Sequence, residues 1–185
     1  MQDPGFERIG KRLFAEHLVG GNFGNMSVRD AEGFYIKRTG AYLDDPGEPV
    51  FVPFSGPVPK EASSEYRVHL AVYSSMPYKA IVHAHPPYAI AASLGADEIV
   101  PLDSEGEMFC RTIPVVAGAP GTQGLADAVA RAMTEHKLVV ARGHGTFAAG
   151  RTLDEAFQLT SLAEHASRII AYKRMFYPDP VQDRF

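Results

Sequence analysis

Three histidines stand in positions that suit a metal site. His83 and His85 are two residues apart in the apolar, β-branched stretch 79–85, which ends at two prolines. Residues two apart on a strand point to the same face, so both imidazoles should enter one space. His144 lies between two glycines directly after a second apolar stretch. Neutral imidazole binds zinc and similar divalent metals, and the three residues therefore predict a metal site. Histidines that serve only packing or a turn are the alternative.

Glu65 is the candidate for a fourth metal ligand or a general base. It directly follows Ser63 and Ser64 at the predicted start of a helix. Catalytic zinc sites commonly have three protein ligands and one open or displaceable position. A carboxylate beside that position can also move a proton. The alternative is a carboxylate that serves only the helix N-terminus.

Helices and strands alternate along the chain, and these elements must position the candidate residues. Hydrophobic periodicity and turn signals predict helices at 6–18, 63–76, 87–94, 122–136 and 152–175. They predict strands within 24–29 and at 34–39, 50–54, 79–85, 99–102, 112–117, 138–141 and 147–149. Residues 103–106 are predicted to be a loop. Hairpins and helices both connect the strands, which indicates a layered α/β or α+β domain with a mixed or mainly antiparallel central sheet.

Composition limits the classes of protein that this chain can represent. The 185 residues are 45% hydrophobic and 22% charged, which is typical of one domain, here residues 1–185. A net charge of −4 predicts neither a nucleic acid partner nor an anionic membrane surface. The lone cysteine, Cys110, excludes an internal disulfide and suits a reducing compartment. The sequence shows no signal-peptide pattern and no apolar run of transmembrane length, so we expect a cytoplasmic protein.

Five short motifs, in this order and spacing, resemble the class II aldolase/adducin-head family. They are Gly24-Asn25-Met26-Ser27-Val28-Arg29, Ile36-Lys37-Arg38-Thr39-Gly40, Ser63-Ser64-Glu65, His83-Ala84-His85 and Gly143-His144-Gly145. Each motif alone is weak, but five in register are specific. The resemblance covers about residues 6–172.

The resemblance implies a fold, a metal and an assembly. The implied fold is a layered α/β domain with a nine-stranded, mostly antiparallel sheet and helices on both faces. One zinc ion per subunit, or another divalent ion, would be held by His83, His85 and His144, and Glu65 would bind the metal when no substrate is present. The implied assembly is a homotetramer with active sites at subunit interfaces.

The resemblance also implies a site for a sugar phosphate. The family's phosphate-binding residues correspond to Gly24, Asn25, Thr39, Gly40, Ser63 and Ser64. The chemistry of these residues agrees, because glycine turns, a threonine hydroxyl and a serine-capped helix N-terminus all donate hydrogen bonds to anions. Ordinary turn chemistry is the alternative for Asn25 and Thr39.

The implied reaction breaks the C3–C4 bond of L-fuculose 1-phosphate or a related ketose 1-phosphate. The products would be dihydroxyacetone phosphate and an aldehyde such as L-lactaldehyde, with Glu65 carrying the proton at C3. The chain departs from the family pattern where a tyrosine serves the C4 oxygen, because that position falls at Ser104 or Glu105. Pro120 replaces a phenylalanine of the family site. The alternatives are a pentulose-5-phosphate 4-epimerase, a methylthio-pentulose-1-phosphate dehydratase and a non-catalytic adducin-type head.

Overall fold

A computed structural model describes residues 5–177, so the predicted domain 1–185 extends beyond the described range at both ends. Six helices lie within this range. They are α1 (Phe6–Ala15), α2 (Tyr66–Ser75), α3 (Pro87–Ser93), α4 (Ser104–Phe109), α5 (Gln123–Ala132) and α6 (Leu153–Phe176). Over the same residues, no helix is both long and apolar enough to cross a bilayer.

Eight strands form one sheet within residues 5–177. They are β1 (Asn25–Arg29), β2 (Gly33–Ile36), β3 (Val50–Pro53), β4 (Ala80–Ala84), β5 (Glu98–Ile99), β6 (Ile113–Val116), β7 (Leu138–Ala141) and β8 (Gly145–Gly150). The spatial order is β3-β2-β1-β4-β8-β7-β6-β5. Every pair is antiparallel except β6 with β7, which confirms a mostly antiparallel sheet.

The resemblance implied nine strands, whereas the described residues contain eight. Beyond the named strands, Arg38 and Ala62 form an isolated antiparallel bridge. The segment before Ala62 contains Gly56, Pro57 and Pro59. Proline cannot donate a hydrogen bond to a strand ladder, so this segment cannot extend the pairing.

The side chains of β4 alternate between two hydrophobic clusters, one on each face of the sheet. Ile81 packs in the cluster that contains α2 and α5 residues. Ala80 and Val82 pack in the cluster that contains α1, α3 and α6 residues. Helices therefore cover both faces, as predicted, and β4 is buried along its whole length. His83 shares the face of Ile81 because the side-chain repeat of a strand is two residues.

Two local predictions were wrong. Residues 103–106 were predicted to be a loop, but Asp103 caps α4 and its side chain accepts a hydrogen bond from the Gly106 N–H at 3.0 Å. Ser63 or Ser64 was predicted to cap the second helix, but the N-cap of α2 is Glu65 and no side chain caps that helix. The two serine hydroxyls are therefore not used by the helix.

Candidate metal centre

His83 and His85 lie where the central strand leaves the sheet. His83, on β4, is only 1% exposed and sits between β1 and β8. His85 follows the strand, and its backbone N–H donates to the carbonyl oxygen of Leu18 at 2.8 Å. This bond fixes the chain just before the two prolines that lead into α3. Both side chains are thus attached to well-packed backbone.

His144 reaches the same place from the turn between β7 and β8. Gly143 has φ +66°, a conformation that glycine adopts without strain. At Gly145 a Cβ atom would lie 2.2 Å from the carbonyl oxygen of Ala84. The two glycines beside His144 are therefore needed for different reasons. Gly143 allows a left-handed turn, and Gly145 allows the close approach of β8 to β4.

The three imidazoles converge in a group that could hold a metal ion. The Nε2 atoms of His83 and His85 are 3.1 Å apart, and one ring nitrogen from each of the three histidines lies within 4.8 Å of the others. Two nitrogens bound to one tetrahedral zinc at its usual bond length are about 3.3 Å apart. The Nδ1–H of His83 donates to the Thr146 carbonyl oxygen at 2.9 Å, which leaves the Nε2 lone pair free for a ligand bond.

Burial keeps these histidines neutral. It holds the pKa of His83 well below its ordinary value, with the charges of His85 and His144 acting in the same direction. Burial, then His144, lowers the pKa of His85 to about 4, and burial lowers the pKa of His144. Neutral imidazole is the form that binds a metal, so protons compete little with a cation at neutral pH.

Glu65 presents one fixed and one unpartnered oxygen beside the histidines. Its side chain is buried, and Oε1 accepts a hydrogen bond from the Gly121 N–H at 2.8 Å. The same oxygen lies 4.0 Å from Nε2 of His144. Oε2 is buried, and the described residues offer it no hydrogen-bond partner. Burial raises the pKa of Glu65, although the Gly121 N–H and Arg67 oppose the rise. Buried carboxylate oxygens need a partner, and a proton or a cation would supply one for Oε2.

A comparison with family models identifies the family of this chain. The model of the Class II Aldolase and Adducin N-terminal domain matches residues 6–171. The chain belongs to the class II aldolase/adducin family. The predicted membership is thus confirmed, and with it the predicted fold and enzyme class, a class II aldolase and hence a lyase. Class II aldolases are metal-dependent, and the three histidines form a possible metal site.

Individual relatives agree with the family model. The L-fuculose phosphate aldolase of Methanococcus vannielii is 30% identical over 169 residues, which are 89% of this chain and 92% of the relative. The 5-deoxy-D-ribulose 1-phosphate aldolase of Bacillus thuringiensis is 29% identical over 173 residues, which are 86% of this chain and 79% of the relative. The crystal structure of L-fuculose-1-phosphate aldolase from Thermus thermophilus superimposes with a TM-score of 0.91 at 36% identity, covering 94% of each chain.

Pairing of backbone segments gathers the residues that the family resemblance assigned to phosphate. Asn25 is in register with His83 across β1 and β4, and Arg38 bridges Ala62. The segments around residues 24–25, 39–40 and 62–64 therefore border one end of the sheet. Asn25 and Ser63 are buried, Gly24 is half-buried, and Thr39, Gly40 and Ser64 are exposed.

Two contributors to this class II aldolase site were missed by sequence reasoning. Gly121 holds Glu65 through its backbone N–H, and Phe23 stacks on His85 with ring centroids 5.7 Å apart and planes 7° apart. Gly121 lies in a Gly- and Pro-containing turn at 118–121, and Phe23 is an exposed aromatic beside Gly24. Such turns signal a loop, but only the fold shows which carboxylate a backbone N–H meets.

The close contact at Gly145 gives a prediction about the metal centre. Gly145→Ala places a methyl group against the Ala84 carbonyl and should separate β8 from β4, destabilising the protein by about 1–3 kcal/mol. Metal affinity should fall with it, because His144 and His85 are carried by the two displaced segments. Urea unfolding and metal titration measure the two effects. Gly20→Ala is the control, because a Cβ there meets nothing within 4 Å. Equal behaviour of the two variants would contradict the prediction.

Proposed function

We propose that the protein is a zinc-dependent aldolase that cleaves L-fuculose 1-phosphate or a related ketose 1-phosphate. The products are dihydroxyacetone phosphate and an aldehyde such as L-lactaldehyde. The observation that carries the proposal is the convergence of His83, His85 and His144 beside the buried carboxylate of Glu65. The names of the Methanococcus, Bacillus and Thermus relatives support a short ketose 1-phosphate as substrate.

The three histidines would hold the cation, with Glu65 as a fourth ligand in the absence of substrate. A divalent cation bound there supplies a Lewis acid for the negative charge that develops on substrate oxygens as a carbon–carbon bond breaks. The histidines fit this task because burial keeps them neutral and the Thr146 carbonyl oxygen orients His83. Zinc suits an all-imidazole set, although other divalent metals also accept these ligands.

Glu65 would move the proton at C3 of the dihydroxyacetone phosphate fragment. A proton carrier works best when its pKa lies near the working pH, and burial raises the pKa of Glu65 in that direction. Its Oε1 is anchored by the Gly121 N–H, whereas Oε2 has no partner within residues 5–177. The unpartnered oxygen is therefore the one available to a proton.

The segments 24–25, 39–40 and 63–64 would bind the substrate phosphate. Gly24, Gly40 and their neighbours offer backbone N–H groups in turns with positive φ, and Asn25, Thr39, Ser63 and Ser64 offer side-chain donors. The hydroxyls of Ser63 and Ser64 are not used to cap α2. This supports their assignment to a ligand rather than to the helix.

A homotetramer with active sites at subunit interfaces completes the proposal. Apolar side chains on α4 support an interface, since Met108 is 74% and Phe109 is 68% exposed. Phe109 borders a groove that also includes Leu159 and Leu162 of α6. Exposed apolar surface beside a groove is typical of a protein–protein contact. The single cysteine supports a reducing, cytoplasmic location.

The reaction is tested by a product assay. Zinc-loaded protein should release dihydroxyacetone phosphate from L-fuculose 1-phosphate or from a 5-deoxypentulose 1-phosphate, measured with a coupling dehydrogenase. A parallel assay follows conversion of L-ribulose 5-phosphate to D-xylulose 5-phosphate. Epimerisation without release of dihydroxyacetone phosphate from any 1-phosphate would replace the aldolase proposal with an epimerase.

The role of Glu65 is tested by a change that keeps its shape. Glu65→Gln should retain the fold and much of the metal, while turnover falls by about two to four orders of magnitude because the proton carrier is lost. Exchange of solvent deuterium into dihydroxyacetone phosphate isolates the proton step. Wild-type exchange in this variant would remove Glu65 from that role.

The assembly is tested by light scattering at micromolar concentration. The expected mass is that of a tetramer of 20.1 kDa chains. Phe109→Glu should shift the mass toward smaller species, because it places a charge on the exposed apolar surface of α4. A monomeric wild-type protein with full activity at the same concentration would refute the tetramer.

A further inference from the structure

Helix α3 joins the two turns that carry candidate metal ligands. It begins two residues after His85, and its C-terminal end contacts the turn that carries His144. The helix has only seven residues, and an isolated helix of this length is unstable in water. Its ends must therefore be held by the rest of the protein, and each end has a buried polar side chain that does so.

Glu164 of α6 holds the N-terminal end of α3. Pro86 and Pro87 have no N–H groups, so the N–H groups of Tyr88 and Ala89 are the first donors in this segment. Both donate to Oε2 of Glu164, at 2.9 Å and 3.1 Å. The carboxylate is 4% exposed, and the positive end of the helix dipole favours its charge.

Ser93 holds the C-terminal end of α3 to the His144 turn. Its side chain is fully buried, and Oγ accepts a hydrogen bond from the Gly143 N–H at 2.9 Å. The same hydroxyl donates to the Ile90 carbonyl oxygen at 2.6 Å, which fixes its direction. Arg142 adds a second link, because its Nη1 donates to the Ser93 carbonyl oxygen at 2.7 Å. The two residues before His144 are thus tied to the end of α3.

We propose that Glu164 and Ser93 are positioning residues of the metal centre, which act through α3 to set the spacing between His85 and His144. Neither residue is a metal ligand, and each bonds to backbone N–H groups next to a ligand-bearing turn. The inference rests on the metal site of the proposed function. It extends that proposal by naming two residues outside the site that determine how well His85 and His144 bind one ion together.

Zinc-type coordination requires a defined spacing between the ligand atoms of His85 and His144. Ligand atoms must lie within about 0.2 Å of their ideal distances for tight binding. Removal of a supporting hydrogen bond around a metal site typically lowers metal affinity by about 10- to 100-fold. Loss of the Ser93 hydroxyl releases the Gly143 N–H from α3, and loss of the Glu164 carboxylate leaves the N–H of the buried residue Ala89 unpaired. The turn that carries the ligand should shift in either case.

The test is a cobalt titration of metal-free protein, with bound Co²⁺ followed by its visible absorption. Ser93→Ala and Glu164→Ala should each weaken cobalt binding by about tenfold or more and alter the absorption band. Glu164→Gln should retain most of the affinity, because its amide oxygen still accepts from the two N–H groups. Circular dichroism establishes the temperature range in which each variant is folded.

Two buried residues of α6 provide matched controls. Thr160 lies one turn before Glu164. Within the part of the chain that the structure describes, its hydroxyl bonds only to the Ala156 carbonyl oxygen, and the hydroxyl of Ser167 has no partner. Thr160→Val and Ser167→Ala should bind cobalt as the wild type does, even where thermal stability changes. These variants separate a loss of general stability from a loss of ligand spacing.

Each outcome of the cobalt titration supports or overturns the positioning role of Glu164 and Ser93. A wild-type protein that binds no cobalt overturns the metal site and this inference together. A wild-type protein that binds cobalt, with Ser93→Ala binding equally well, overturns only the positioning role. If Glu164→Ala does not fold, Ser93→Ala and Glu164→Gln provide the test. Cobalt affinity should fall in Ser93→Ala and be retained in Glu164→Gln.

Discussion

Three imidazole rings share one small buried space, and that constraint shapes the structure around it. The Nε2 atoms of His83 and His85 are 3.1 Å apart, and His144 completes the group. Lone pairs at this distance repel unless a proton or a cation lies between them. A neutral ring can supply that proton from its own N–H, and burial, which lowers the pKa of all three histidines, disfavours only the charged, doubly protonated form. An N–H can bridge only two of the rings, whereas one divalent cation could accept a lone pair from all three.

The fold keeps the three rings together by attaching each to backbone that cannot easily move. His83 belongs to the central strand, whose side chains pack in clusters on both faces of the sheet. His144 is held against that strand because β8 pairs with β4 and Gly145 allows close contact. Positions on a packed sheet hold a ligand set more precisely than a mobile loop does.

Sequence reasoning predicted the parts of the site that follow a local pattern. The two-residue spacing of His83 and His85 on an apolar strand was sufficient to place both side chains in one region, and the glycines around His144 indicated a tight turn. The order of helices and strands likewise predicted a layered fold with a mixed or mainly antiparallel sheet. These features depend on periods of a few residues, which a sequence displays directly.

Contacts between distant segments could not be predicted in this way. The Gly121 N–H that holds Glu65 comes from 56 residues away, and the Glu164 carboxylate reaches α3 across 76 residues. Neither leaves a periodic signal, because a backbone N–H is present at almost every residue. The helix α4 was missed for a related reason. Asp103 is an ordinary acidic residue until the neighbouring backbone gives its side chain a direction.

The two oxygens of Glu65 show how the fold can combine a structural and a chemical requirement in one side chain. The Gly121 N–H fixes Oε1 and stabilises the charged form, whereas burial raises the pKa of the carboxyl. A cation at the histidines would favour the charged form again, through Coulomb attraction over a short distance in a poorly solvated site. With a cation bound, the protonation of Glu65 would be set by a balance between burial and the cation. A carboxylate in this balance can change its proton affinity when its surroundings change, without any movement of the strands that carry the histidines.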